Sequence, residues 1–162
     1  MKTNFYTFLI FWASFGFAQS TDILLPLIPK PLKVTQAEGE FILTKNTHFY
    51  SEDKLLVREM VFFNDYLKRN HGFEIMQTTN PFEKNAIKLL RSKDTTDSLK
   101  GSYQLVINSN KLTIKADTTG LFYAIQSLKN LFPMAVWKNS VEKIQIPCLK
   151  VEDAPRFGFR SF

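Results

Sequence analysis

Cysteine is nearly absent: Cys148 is the only one in the chain. No disulfide can close within it, so an apolar core must hold the fold, and Cys148 reads as a buried apolar filler rather than a nucleophile. Histidine is almost as scarce. His48 and His71 have no partner at metal-ligand spacing, so no metal and no cofactor are expected. The six glycines form no phosphate-cradling loop, and no serine sits in a nucleophile elbow. A block of like charge is missing too. The net charge is +6, but Lys and Arg are scattered among Asp and Glu, which describes a solvated surface and argues against nucleic acid as a partner. The chain also lacks internal repeats and long low-complexity tracts.

What is present begins with a leader. Lys2 is the only charge before an apolar run from Phe5 to Phe17, and Gly16 and Ala18 supply small residues at −3 and −1 of a cut before Gln19. Residues 1–18 therefore read as a secretory signal peptide, with export to the periplasm or beyond. The run falls short of the ~20 apolar residues that a spanning helix needs, which leaves a retained anchor as the alternative. No Cys follows it to carry a lipid. Removing 18 of the 162 residues leaves 144, with a net charge of +5 once Lys2 is gone. That is enough for one compact domain.

Pro29 and Pro31 force an extended start. Lys33 to Ala37 and Glu40 to Leu43 then read as two short strands around a Glu38-Gly39 turn, and His48 to Tyr50 as a third. Ser51 is placed to cap a helix whose first turn carries Glu52 and Asp53. Leu56, Met60, Phe63 and Leu67 recur at helical spacing, with Leu55, Phe62 and Tyr66 widening the stripe, and Gly72 closes the helix. Ala86 to Leu90 reads as a strand. Tyr103, Leu105 and Ile107 alternate with polar residues, as do Leu112, Ile114 and Ala116; the turn Asn108-Ser-Asn-Lys111 between them makes a hairpin. Asp117 or Thr118 caps a second helix with Leu121, Ile125, Leu128 and Phe132 on its buried side, stopped by Pro133. Ile144 to Val151 is the last strand. This order predicts an α+β fold, a mostly antiparallel sheet with two helices packed on one face.

Three segments carry a resemblance. They are Ile28-Pro-Lys-Pro-Leu32 with Gly39-Glu-Phe-Ile42, then Tyr103-Gln-Leu105 and Leu112-Thr-Ile114 with Gly120-Leu-Phe-Tyr-Ala-Ile-Gln-Ser-Leu128, and lastly Asp153-Ala-Pro-Arg-Phe157 with Arg160. In this order, over nearly the whole mature chain, they resemble the small N-terminal domain of family 20 glycoside hydrolases, the β-N-acetylhexosaminidases. Ser161 stands where that family usually has Gly, and Gly101-Ser102 where an acidic residue commonly precedes the hairpin tyrosine. The resemblance implies a signal peptide over 1–18, an accessory domain over 19–152, and the opening of a (β/α)8 catalytic barrel over 153–162. It further implies that the chain is the front of a longer enzyme, with residues 154–162 disordered in the absence of the barrel.

The same resemblance implies the chemistry. Terminal N-acetylglucosamine or N-acetylgalactosamine is removed from glycans when the sugar's own acetamido oxygen attacks the anomeric carbon, an exception to the two-carboxylate scheme. The Asp-Glu dyad that orients the acetamido group and serves as acid and base is expected beyond Phe162, so no catalytic residue is assigned in this chain. Arg160 alone inherits a role, as a donor to hydroxyls of the terminal sugar, which suits a fixed guanidinium fork. Arg156 reads as an ion-pair partner where domain and barrel meet. The pairs Glu52-Asp53 and Glu152-Asp153 read as helix-dipole and turn chemistry rather than catalytic carboxylates. Two rivals stand beside this reading. One is the accessory domain of a hyaluronidase or O-GlcNAcase-type enzyme; the other is a stand-alone secreted carbohydrate-binding or interaction module.

Overall fold

The computed structural model describes residues 25–92, 100–137 and 141–156. Within them the chain runs through β1 (Lys33–Thr44), β2 (His48–Tyr50), α1 (Lys54–His71), β3 (Met76–Gln77), β4 (Ala86–Arg91), β5 (Tyr103–Asn108), β6 (Lys111–Ala116), α2 (Thr118–Asn130), a 3-10 turn at Met134–Trp137, and β7 (Lys143–Asp153). The strands form one sheet in the order β1-β7-β5-β6-β4-β2-β3. The ladders β1·β7, β7·β5 and β5·β6 are antiparallel. Beyond β6 the sheet becomes parallel through β4, β2 and β3. The two helices pack against each other and against β4, β5 and β6, as the α+β expectation required.

Local chemistry sets the helix ends. Asp53, not Ser51, is the N-cap of α1: its Oδ1 accepts from Leu55 N (2.8 Å) and Leu56 N (3.4 Å). Ser51 sits two residues back, with its Oγ accepting from Asp53 N. Gly72 closes the helix in the left-handed conformation (φ 75°), and its N–H bonds Lys68 O. Asp117 caps α2 through Gly120 N at 2.6 Å.

The core lies between helices and sheet. Leu56, Met60, Phe63 and Leu67 of α1, and Leu121, Ile125 and Leu128 of α2 with Phe132 just beyond, are buried against Leu105, Ile107, Leu112 and Ile114. Leu55 and Phe62 are exposed. The apolar stripe of α1 is therefore narrower than its sequence implied, because residues adjacent in number lie about 100° apart around a helix axis.

One expected turn is not a turn. Lys33 to Thr44 is a single strand, paired with β7 along both halves. Ala37 to Gly39 stand opposite Cys148 alone, between the pairs Gln36↔Leu149 and Glu40↔Pro147. Gly39 takes φ 97°, and Pro147 has no N–H to give the ladder. The chain bulges and continues where a hairpin would reverse.

Candidate functional site

The Glu52-Asp53 pair is structural. Asp53 caps α1 and its Oδ2 accepts from Arg91 Nη1 at 2.8 Å, which holds its carboxyl below the usual carboxylate range. Glu52 accepts from the Tyr50 hydroxyl. Glu152 is bonded by Lys150 and Gln104, and those partners pull its pKa down as well. A general acid near neutral pH needs the opposite shift. Asp53 and Glu152 are both shifted the other way.

The histidines divide between sheet and core. His48 lies in β2. His71 is buried among the rings of Tyr66, Phe73 and Phe132, and burial pushes its pKa down. Among the described residues no cluster of three or more His, Cys, Asp or Glu could hold a metal, and Cys148 is buried.

Arg160 lies outside the described residues, and so does the leader 1–18. The residues leading toward Arg160 are described, and they form the most specific local construction in the fold. Arg156 Nη2 donates to Lys30 O at 2.7 Å. Its contact is thus a backbone carbonyl of the incoming segment, where an ion pair was expected. Asp153 Oδ1 accepts from Leu32 N at 3.2 Å. Residues 154–156, expected to be disordered, are held beside the segment that leads into β1, because these two bonds tie the chain's way in to its way out.

Beneath this crossing lies Gly101. Its φ is 90°, and a Cβ there would stand 3.2 Å from Pro155 Cγ, 3.2 Å from Tyr123 Cε2 and 3.3 Å from Thr119 Cγ2. Its N–H bonds Asp117 Oδ2 at 3.0 Å, so one carboxylate caps α2 and holds the turn on which Pro155 rests. Gly120 solves a second crowding problem. A Cβ on it would come 2.1 Å from Ser102 O, so only glycine lets the first turn of α2 lie against that backbone. Tyr103 Oη meets Ser127 Oγ at 2.7 Å, closing the contact between β5 and α2. Around these groups Ile28, Pro29, Phe122, Tyr123, Ala154 and Pro155 line a hollow of about 260 Å³. Sequence reasoning picked out the Gly120–Leu128 run and the Tyr103 strand but missed that they meet here. The signal was the glycine at each approach: Gly101 just ahead of the Tyr103 strand and Gly120 at the head of the Gly120–Leu128 run.

With this geometry in hand, the comparisons are specific. Residues 24–154 match the profile of glycosyl hydrolase family 20, domain 2. No curated protein sequence matches the chain. Among solved structures, the β-N-acetylhexosaminidase of Streptomyces coelicolor superposes with a TM-score of 0.71 at 24% identity, over 83% of this chain and 27% of that one. The N-acetyl-β-hexosaminidase of Streptomyces plicatus gives 0.68 at 25% identity, over 82% and 27%, and a mutant of it is known in complex with the product GlcNAc. The chitobiase of Flavobacterium johnsoniae gives 0.61 at 26% identity, over 82% and 21%. The chain thus spans about a fifth to a quarter of the length of these relatives.

Proposed function

This chain belongs to glycosyl hydrolase family 20, whose domain 2 it carries over residues 24–154, and on that premise we propose that it is the N-terminal part of an exported β-N-acetylhexosaminidase. The observation that carries the proposal is the family match over residues 24–154, supported by hexosaminidase neighbours of which this chain spans about a fifth to a quarter. Residues 1–18 direct export, 19–152 form the accessory domain, and 153–162 open the catalytic barrel.

Catalysis belongs to the domain that follows. There the 2-acetamido oxygen of a terminal N-acetylglucosamine or N-acetylgalactosamine displaces the leaving group, an Asp orients the acetamido group, and the adjacent Glu serves first as acid and then as base. Arg160 contributes hydrogen bonds to hydroxyls of that terminal sugar, a task suited to a guanidinium that keeps its charge in a dry pocket. The accessory domain gives mechanical support. The 162-residue chain alone does not hydrolyse these sugars, because the Asp-Glu dyad belongs to the following domain, and Asp53, Glu152 and Asp153 are committed to a cap, an ion pair and a turn.

The coding sequence downstream of Phe162 tests the proposal. It is expected to continue and to contain an adjacent Asp-Glu pair at the end of a barrel strand. A stop directly after Phe162 favours the stand-alone module instead, and a continuing barrel without that pair favours a different glycosidase.

A further inference from the structure

We propose that the open face of the sheet, the side turned away from the two helices, binds a linear acidic polysaccharide through a band of lysines. The inference goes beyond the function proposed above and does not depend on it.

Strand alternation builds the band. Successive side chains of a strand point to opposite sides of its sheet. Leu105, Ile107, Leu112, Ile114, Ile87 and Leu89 are buried toward the helices, so the residues between them face outward. Register carries that outward side from Lys33 in β1 and Lys150 in β7, through Gln104 and Val106 of β5, to Lys111 and Lys115 in β6 and Lys88 in β4. Lysines that are scattered in the sequence thus converge on one face. The one acid standing in these rows is Glu152, which accepts from Gln104 and pairs with Lys150. Among the described residues, Lys33, Lys88, Lys111 and Lys115 take part in no ion pair. Farther along β1 and β7, Glu40 and Lys143 offset each other in charge.

Three of the lysines crowd one another. Lys111 pairs with Ala86 and Lys115 with Leu90, which makes Lys88 the diagonal neighbour of both, at about 7–8 Å. That separation is shorter than the ~10 Å Debye length at 0.1 M salt, so the three charges repel and an anion laid across them relieves the repulsion. Lys88 is half-buried, with its Nζ 5.5 Å from the centre of the Tyr50 ring, a contact that steadies the ammonium. Thr113 pairs directly with Lys88 and brings a hydroxyl between the three.

The chemistry of the face selects the occupant. A single small anion gains little from ammonium groups on an open surface, whereas a polymer engages several at once. The band crosses five strands, about 19 Å at ordinary strand spacing, and is flat, as an extended chain requires. Thr35, Thr113 and Asn108 stand among the lysines and carry donors and acceptors suited to sugar hydroxyls. The band contains neither an Arg nor an exposed aromatic ring, groups on which nucleic-acid and membrane-surface recognition commonly draws. Its one ring, Tyr50, is buried.

Binding of the protein as its gene encodes it to heparin and to polygalacturonate tests the proposal, with neutral dextran as the blank. The face variant is Lys88→Gln, Lys111→Gln and Lys115→Gln together. A variant with the same loss of charge on α1, Arg58→Gln, Lys68→Gln and Arg69→Gln, serves as the control, since all three residues are exposed. The expected result is saturable binding to at least one acidic polysaccharide, weakened at least about tenfold in the face variant and less than about twofold in the control. The salt dependence of binding should also become shallower in the face variant by roughly two to three released counterions. Equal losses in the two variants overturn the proposal, because they reduce it to net charge. Absence of binding to both polysaccharides at low salt also overturns it. Duplex DNA or phosphatidylglycerol vesicles that bind the same face more tightly than either polysaccharide overturn the assignment of the partner. Sugar hydrolysis is not part of the readout, so failure of the hexosaminidase reading and failure of this one are seen separately.

Discussion

Tyr103 Oη lies 2.7 Å from Ser127 Oγ, a hydrogen bond in which either hydroxyl donates and which joins β5 to the middle of α2. Tyr103 is buried and its hydroxyl also interacts with the Asp153 carboxyl, so removing the Ser127 partner takes away the β5–α2 bond alone. Tyr103→Phe and Ser127→Ala should each cost about 0.5–1.5 kcal/mol. The double variant should cost less than their sum, since both remove the same bond. Chemical denaturation of the four proteins gives the coupling. Strictly additive losses would mean that the two hydroxyls act independently.

Gly120 and Gly101 make a sharper prediction. Gly120→Ala drives a methyl to 2.1 Å from Ser102 O, and the backbones of two elements must separate to admit it. The loss should be about 1–3 kcal/mol or more, although alanine is intrinsically the better helix former. Gly101→Ala, at φ 90° under Pro155, should lose on the order of 1–3 kcal/mol through backbone strain. Thermal melts decide both, and a Gly120→Ala protein as stable as the parent would contradict the close approach.

Acidification should act in two stages. The pKa of His71 is pushed down by burial, so the unfolded chain takes up a proton more readily than the folded one. Its contribution is complete above the ordinary value of 6.5, erodes as pH falls below that value, and stops changing below the folded pKa. Asp53 is also shifted down, chiefly by the Arg91 hydrogen bond. Its contribution is complete above the ordinary 3.8 and is lost as pH falls through the lower folded value. Urea melts from pH 7.5 to 5 should therefore show declining stability, and His71→Phe should flatten that decline. A wild-type profile that is flat across this range would show that His71 protonates in place.

Asp53→Ala removes the α1 cap and the Arg91 partner together, and should cost about 0.5–2 kcal/mol on the cap alone. Asp53→Asn keeps an oxygen for Leu55 N and Leu56 N and should recover most of that loss. Equal losses for the two would place the stability in the Arg91 pair instead.

Much of this fold was legible because it rests on local signals. The α1 stripe from Leu56 to Leu67, the Gly72 stop, the hairpin around Asn108–Lys111 and the Asp117 cap are written in spacing and residue type. The bulge at Ala37–Gly39 was not. A Glu-Gly pair between apolar runs codes equally for a reversal or a bulge, and only pairing with β7, over a hundred residues away, separates them. Strand β3 was missed for a similar reason: two residues carry no periodicity, and Met76 and Gln77 are in the sheet through their pairing with His48 and Phe49. Of the candidate site, the sequence showed the pieces (Gly101, Gly120, Ser127, Pro155) but not their meeting, which is a property of the crossing between Lys30 and Arg156.

The central claim, that this domain is the front of a hexosaminidase whose catalytic groups follow it, is tested most directly by turnover of a chromogenic N-acetylglucosaminide. The samples are the gene-encoded protein, its Arg160→Ala variant, and the 162-residue chain by itself. The account predicts hydrolysis by the encoded protein and a loss of about 2–4 kcal/mol of transition-state stabilisation in Arg160→Ala. It predicts no turnover by the 162-residue chain. Clear hydrolysis by that chain, or none by the encoded protein, would contradict it.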